Sequence, residues 1–153
     1  MVDIEQDDPK KVIGKIVRIR FGDDTGIYKD KYLDEFKNGQ RKYWNTPTNY
    51  LKKLKTGKMM LYDSKREAIT IEFRVYDIDN IGGDFQFSNK FMQEDVKIFE
   101  PGIPLSVIEK IGHFNGFGHK RRVDWKLHRD EYNMLLNRYQ GKIINFMKDL
   151  DDK

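Results

Sequence analysis

The stretch Ala68-Ile69-Thr70-Ile71-Glu72-Phe73-Arg74-Val75-Tyr76-Asp77-Ile78-Asp79 sets the class of fold. Ile69, Ile71, Phe73 and Val75 alternate with Thr70, Glu72, Arg74 and Tyr76, the period of two that a strand with one buried face requires. Working back from it, Asp63 to Glu67 is a polar turn and Met59 to Tyr62 a shorter apolar strand. Val12 to Phe21 repeats the alternation, with Val17, Ile19 and Phe21 facing one way and Arg18 and Arg20 the other, before Gly22 to Gly26 breaks the chain. Working forward, Asn80 to Lys90 holds Gly82-Gly83 and the alternating Phe85 and Phe87, and reads as a hairpin or an ordered loop. Val96 to Phe99 and Arg121 to His128 are further strands, the second expected to be the last.

Helical spacing shows in four places. Tyr28, Tyr32, Leu33 and Phe36 mark one face of a short helix that Asn38-Gly39 ends. Thr46 or Thr48 can cap a second helix running to about Lys55 and stopping at Gly57, with Pro47 tolerated in its first turn. Pro104-Leu105-Ser106 leads into a helical turn through Val107, Ile108 and Ile111. Asp130 caps a long helix to about Leu150, with Tyr132, Leu135, Leu136, Tyr139, Ile143, Phe146, Met147 and Leu150 along one stripe. The expected class is α+β: a small mixed or antiparallel pseudobarrel with flanking helices and a long C-terminal helix over 130–150. Residues 1–10 form a flexible acidic lead-in, and 11–150 a single domain.

A chain of 153 residues is long enough to bury a core. Without cysteine it has no disulfide, thiolate nucleophile or zinc ribbon. No run of apolar residues is long enough to span a membrane, so a cytoplasmic location is expected. Net charge is +4, but its distribution says more: without residues 1–8 and 148–153, the body carries 27 basic against 18 acidic side chains. A basic body with acidic ends suits a polyanion, and equally serves solubility.

Motifs for nucleotide or acyl chemistry are missing: there is no Walker A pattern and no nucleophile elbow. The glycines of Gly112 to Gly118 have the wrong spacing for a phosphate loop. His113, His119 and His128 lack metal-ligand spacing, so neither metal nor cofactor is expected. Glu72 and Asp63 fit a charged strand face and a turn better than general bases. Two basic clusters remain. Lys52, Lys53, Lys55 and Lys58 suit a solvated face as well as a ligand. Lys120, Arg121, Arg122, Lys126 and Arg129, interleaved with Trp125 and His128, favour phosphate.

Trp44 has two readings. Beside Asn45, Thr46 and Asn49 it offers a ring face together with donors and acceptors, which reading a flipped base requires. It could equally be a core tryptophan stapling the helix after it.

Trp44 to Tyr50, followed by Lys55-Thr56-Gly57-Lys58-Met59-Met60-Leu61-Tyr62-Asp63-Ser64, resembles the EVE branch of the PUA-like superfamily, and the Trp-x-Thr is similar to that of YTH domains. Pro104 to Ile108 and Arg122 to Leu136 resemble the distal half of the same family. The resemblance implies a pseudobarrel with a pocket for one modified base. Trp44, Asn45, Thr46, Asn49, Tyr62 and Ser64 would line that pocket, with Phe87 and Phe91 near the opposite wall. Arg18, Arg20, Lys120, Arg121, Arg122 and Lys126 would then meet the phosphate backbone. Two positions depart from the pattern: Lys58 stands where the family has an acid, and the strand from Ala68 to Val75 lacks a glycine. The expected function is nucleic-acid binding without catalysis, DNA ahead of RNA. By analogy with McrB-type restriction systems, the resemblance implies an AAA+ motor domain or subunit as an expected partner. A nucleoside-processing enzyme of the ASCH type and a protein-interaction adaptor using the C-terminal helix are the alternatives.

Overall fold

The alternation from Ala68 onward does build the central strand, and that strand serves three neighbours. The computed structural model describes residues 11–22, 27–28, 30–49, 51, 57–112 and 122–143. In chain order the elements are β1 (Lys11–Arg18), α1 (Lys31–Lys37), β2 (Tyr43–Thr46), β3 (Lys58–Asp63), β4 (Ala68–Asn80) and β5 (Phe87–Phe91). They continue with β6 (Lys97–Pro104), α2 (Leu105–Gly112), β7 (Arg122–His128), α3 (Arg129–Tyr139) and β8 (Gln140–Ile143). The architecture is α+β. Six strands follow the order β2-β5-β4-β3-β1-β7, and β6 branches from β4 to carry β8. The path is mixed and open: β1 and β3 run parallel, the other pairs antiparallel, and β2 and β7 stand at its ends.

One edge of β4 holds β3 along Ala68–Arg74. Its other edge is divided, with residues Ala68 to Glu72 bonded to β6 and Val75 to Asn80 to β5. The sheet therefore forks at Arg74. The β4–β5 hairpin anticipated around Gly82-Gly83 forms, and a register shift between Val75 and Asp77 marks where the arm departs.

Successive residues go to opposite faces. Val17, Met59, Leu61 and Ile98 enter one apolar cluster while their neighbours Ile16, Met60, Tyr62 and Phe99 enter another. The first cluster is roofed by α1, whose Tyr32, Leu33 and Phe36 are buried at the expected spacing, and by Trp44. Phe73 stacks on Phe91 with centroids 4.2 Å apart, and Phe36 stacks on both. The second cluster is roofed by Tyr132 and Leu135 of α3, with Leu105 and Val107 of α2 packed against it. The two roofs together correct the reading of the central strand as buried on one face: Thr70, under Tyr32 of α1, and Glu72, under Tyr132 of α3, are each 1% exposed.

Two other expectations change. The long C-terminal helix stops at Tyr139, where Gln140-Gly141 opens β8 and pairs it with β6 through Phe99↔Gln140 and Lys97↔Ile143. Glycine is a poor helix former, and the edge of β6 supplies backbone partners that a helix cannot use. Ile143 thus belongs to a strand, and residues 144–150 of the anticipated stripe lie outside the described residues. Trp44, expected just before a helix, lies within β2, whose register runs Tyr43↔Lys90 to Thr46↔Phe87. Pro47, with no N–H to donate, follows directly. Of the helix anticipated after it, Tyr50 and residues 52–56 lie outside the described residues.

Buried charge is fully partnered. Asp63, with no exposed surface, takes the Tyr32 hydroxyl at 2.7 Å, an Arg66 guanidinium N–H at 2.7 Å and the backbone N–H groups of Lys65 and Arg66 at 2.9 and 3.2 Å. Tyr32 also meets Thr70 Oγ1 at 2.8 Å, and Arg66 reaches on to Asp30. Burial pushes the phenols of Tyr32 and Tyr132 far above their ordinary value of 10.0, with the Asp63 and Glu72 carboxylates adding to it. The neutral phenol is the form the fold retains, so above pH 10 the unfolded chain holds fewer protons than the native one. Stability should be untouched by these groups below about pH 10 and fall as pH rises beyond it. Chemical denaturation between pH 8 and 11 should show that descent, less steep in Tyr32→Phe. That variant should itself lose about 1–2 kcal/mol at neutral pH.

Gly57 has φ of +63°, and a Cβ there would lie 2.4 Å from the Val75 carbonyl oxygen, beside the Val75 N–H to Gly57 bond of 2.8 Å. Gly57→Ala should therefore lower stability by about 3 kcal/mol, measured by thermal unfolding.

Candidate nucleic-acid interface

At the mouth between the end of β1 and the edge of the β2 arm lies a cavity of about 20 Å³. Val17 and Arg18 of β1, with Arg20 and Ile27 just beyond it, form one side. Trp44, Asn45 and Thr46 of β2, with Pro47, form the other, and Phe85 of the β4–β5 loop closes the rim. β1 and β2 are four places apart in the sheet, so the arm must curl back to bring them together. The rings show the same curl: Tyr32 meets Trp44 edge-on at 6.2 Å and Phe21 at 5.9 Å.

The core reading of Trp44 holds, with α1 rather than a following helix as the element it packs on. At 2% exposure it is a core residue, fixed by Tyr32, by Phe36 at 6.0 Å and by the Arg41 guanidinium 4.9 Å from its ring centroid. It also lines the cavity. Its backbone is held as tightly. Asn89, wholly buried on β5, gives its amide N–H groups to the Trp44 carbonyl at 2.7 Å and to Thr46 Oγ1 at 3.1 Å, while the Thr46 hydroxyl donates to the Thr48 carbonyl at 2.8 Å.

Acceptors are left over in this corner. The carboxamide oxygens of Asn45, Asn49 and Asn89 are buried and accept no hydrogen bond. A buried acceptor without a donor costs about 1–3 kcal/mol; of the three only Asn45 lines the cavity, where an N–H-bearing group would satisfy it, and Asn49 and Asn89 lie outside the lining. Exposed Arg18 and Arg20 stand at the mouth, with the Arg20 guanidinium 5.7 Å from the Phe85 ring centroid.

Five of the anticipated residues thus converge at one cavity: Trp44, Asn45, Thr46, Arg18 and Arg20. The others do not join them. Tyr62 belongs to the second apolar cluster, on the opposite face, where burial raises its phenol pKa. Ser64 sits in the turn after β3. Phe91 is a core ring, and Phe87 pairs with Thr46 along the strands without lining the cavity. The aromatic rim is Phe85, one residue pair earlier in the same alternation. Lys120 and Arg121 lie outside the described residues. Arg122 and Lys126 occupy β7 opposite Val17 and Ile13, and only their backbone is described. Among the described residues no group of three His, Asp or Glu could hold a metal, and no helix is long and apolar enough to cross a membrane.

Asn89 was not visible in the sequence as a site residue, because its role depends on the strand register that sets it opposite Trp44. Trp44→Ala should lose about 3–5 kcal/mol of stability, as deletion of a buried aromatic does, so binding is better tested with Trp44→Phe. Thermal unfolding of both variants checks this. No protein-family model, curated protein or solved structure matches the chain.

Proposed function

We propose that the chain is a nucleic-acid-binding module that takes one base, modified or flipped, into the cleft walled by Trp44 and Phe85. The observation that carries this reading is the convergence of two arginines, two aromatic rings and the unpartnered Asn45 carboxamide oxygen at one cavity. Each part has a use. Arginine at the mouth neutralises phosphate, a ring face stacks on a base, and an acceptor receives an amino N–H group of a base edge. An acceptor at the cavity favours adenine, cytosine or guanine, which carry an amino group, over uracil or thymine, whose only edge donor is N3–H.

The cavity as it stands has room for about one water molecule. A base enters only when the rim moves, and the rim is suited to move. Phe85 rides on a loop in which Gly82 and Gly83 adopt φ of +78° and +84°, and a Cβ at either would meet nothing within 4 Å. The finer fold reading belongs to the same proposal: the curl of the β2 arm toward β1 supports a PUA-like pseudobarrel. A part in modification-dependent restriction, beside an AAA+ motor, belongs to the same proposal.

The enzyme alternative requires a lysine and a carboxylate in the pocket. That pair exists at Glu72, but on the opposite face of the sheet from the cavity. The adaptor alternative requires a free C-terminal helix, whereas Tyr132 and Leu135 of α3 are buried against the sheet.

Fluorescence anisotropy with methylated and unmodified DNA and RNA oligonucleotides at two salt concentrations tests the proposal. Wild-type protein should bind with a steep salt dependence. Arg18→Ala and Arg20→Ala should each weaken all sequences and lower the log–log salt slope by roughly one. Asn45→Ala and Phe85→Ala should erase discrimination between bases while leaving salt-dependent binding. Discrimination that survives both substitutions would place base reading elsewhere, and no binding at low salt would end the proposal.

A further inference from the structure

A second concentration of charge lies outside the cavity lining, on the second face of the sheet. Glu72 is 1% exposed, and a single oxygen, Oε2, serves three donors there. The Tyr132 hydroxyl donates to it at 2.6 Å, and the ammonium groups of Lys58 and Lys97 lie 3.2 and 3.3 Å away. These donors come from α3, β3 and β6. Strand register explains the meeting, since Glu72 faces Met60 on β3, one pleat from Lys58, and faces Lys97 on β6.

A buried carboxylate needs partners, but its charge balances only one ammonium. Here two cations share it, and Arg74, exposed and directly across from Lys58, adds a third. The lysine side chains remain 21% and 32% exposed, so they cover the carboxylate while presenting outward. Lys58 is also held 5.2 Å from the Tyr132 ring centroid. The two ammonium nitrogens stand no farther apart than their two contacts to Oε2 laid end to end, a gap that a tetrahedral phosphate bridges with one oxygen on each.

We propose that Lys58 and Lys97, held in place by Glu72 and flanked by Arg74, form a phosphate-binding site separate from the cavity. Glu72 fixes both lysines before any ligand arrives, which removes much of the ordering cost that usually weakens lysine–phosphate contacts. The anion relieves the repulsion between two ammonium groups that one carboxylate leaves half-neutralised. The proposal does not depend on a base entering the cavity.

Inorganic phosphate titrated into the full chain at constant ionic strength, with chloride as the balancing anion, is the test. Backbone amide shifts at Lys58, Glu72 and Lys97 report the site, and circular dichroism reports folding. Phosphate should move these amides saturably, about tenfold more weakly in Lys97→Gln, while Lys97→Arg retains binding. Asn45→Ala should leave phosphate binding unchanged, which separates this site from the base cleft. An abasic deoxyribose-phosphate oligomer competing with phosphate identifies the ligand as a nucleic-acid backbone. Phosphate binding without that competition identifies a free or terminal phosphate, and either result sustains the site. A folded Lys97→Gln that binds phosphate as wild type does, or amide shifts that chloride reproduces, would overturn it.

Discussion

A carboxylate with no surface in contact with water stays in a fold only when donors surround it, and Asp63 imposes that condition at the centre of this one. Its four donors come from α1, from the turn that follows β3 and from the Arg66 side chain, and through Tyr32 the network reaches Thr70 on β4. The helix roof, the tight turn and the central strand are therefore fixed by one group. Tyr32 passes the constraint on, because its ring is wedged between Phe21 and Trp44. The cavity wall inherits its position, through Tyr32, from a buried acid at the end of β3.

Glu72 plays a comparable part on the opposite face, where it ties α3 to the sheet through Tyr132. The two acids differ in what covers them. Asp63 is enclosed by a neutral phenol, backbone amides and one arginine, and is spent on structure. Glu72 is covered by two lysines that still meet solvent, so its surroundings retain a surplus of positive charge. The sheet thus separates two kinds of polar chemistry: an acceptor seeking a donor at the cavity, and cations seeking an anion on the far face.

Strands were legible from the sequence wherever apolar residues alternated, because period two is a local property. The first short helix was legible for the matching reason, with Tyr32, Leu33 and Phe36 on one face. Fates decided by distant partners were not legible. Gln140 to Ile143 continue a helical stripe in sequence, yet the edge of β6 draws them into a strand. The burial of Thr70 and Glu72 depends on α3 and on Tyr32, far away along the chain. At the cavity, Trp44, Asn45 and Thr46 were readable from their motif, and Arg18 and Arg20 from their alternation. Phe87 and Phe91 were expected near the opposite wall and Phe85 was not, since the path of the turn before β5 decides which phenylalanine reaches the rim.

The fork of β4 has a mechanical consequence. Up to Glu72 the strand is clamped on both edges, by β3 and β6, whereas from Val75 on it is joined to β5, which in turn carries β2. The hairpin and its β2 flap form a lever whose fulcrum is the irregular step at Val75 to Asp77. A few degrees of added twist at that step would displace the tip of the lever far more than its base, and Phe85 sits at the tip. The position of Phe85 at the rim therefore depends on the backbone path near Val75 as well as on the side chains that line the cavity.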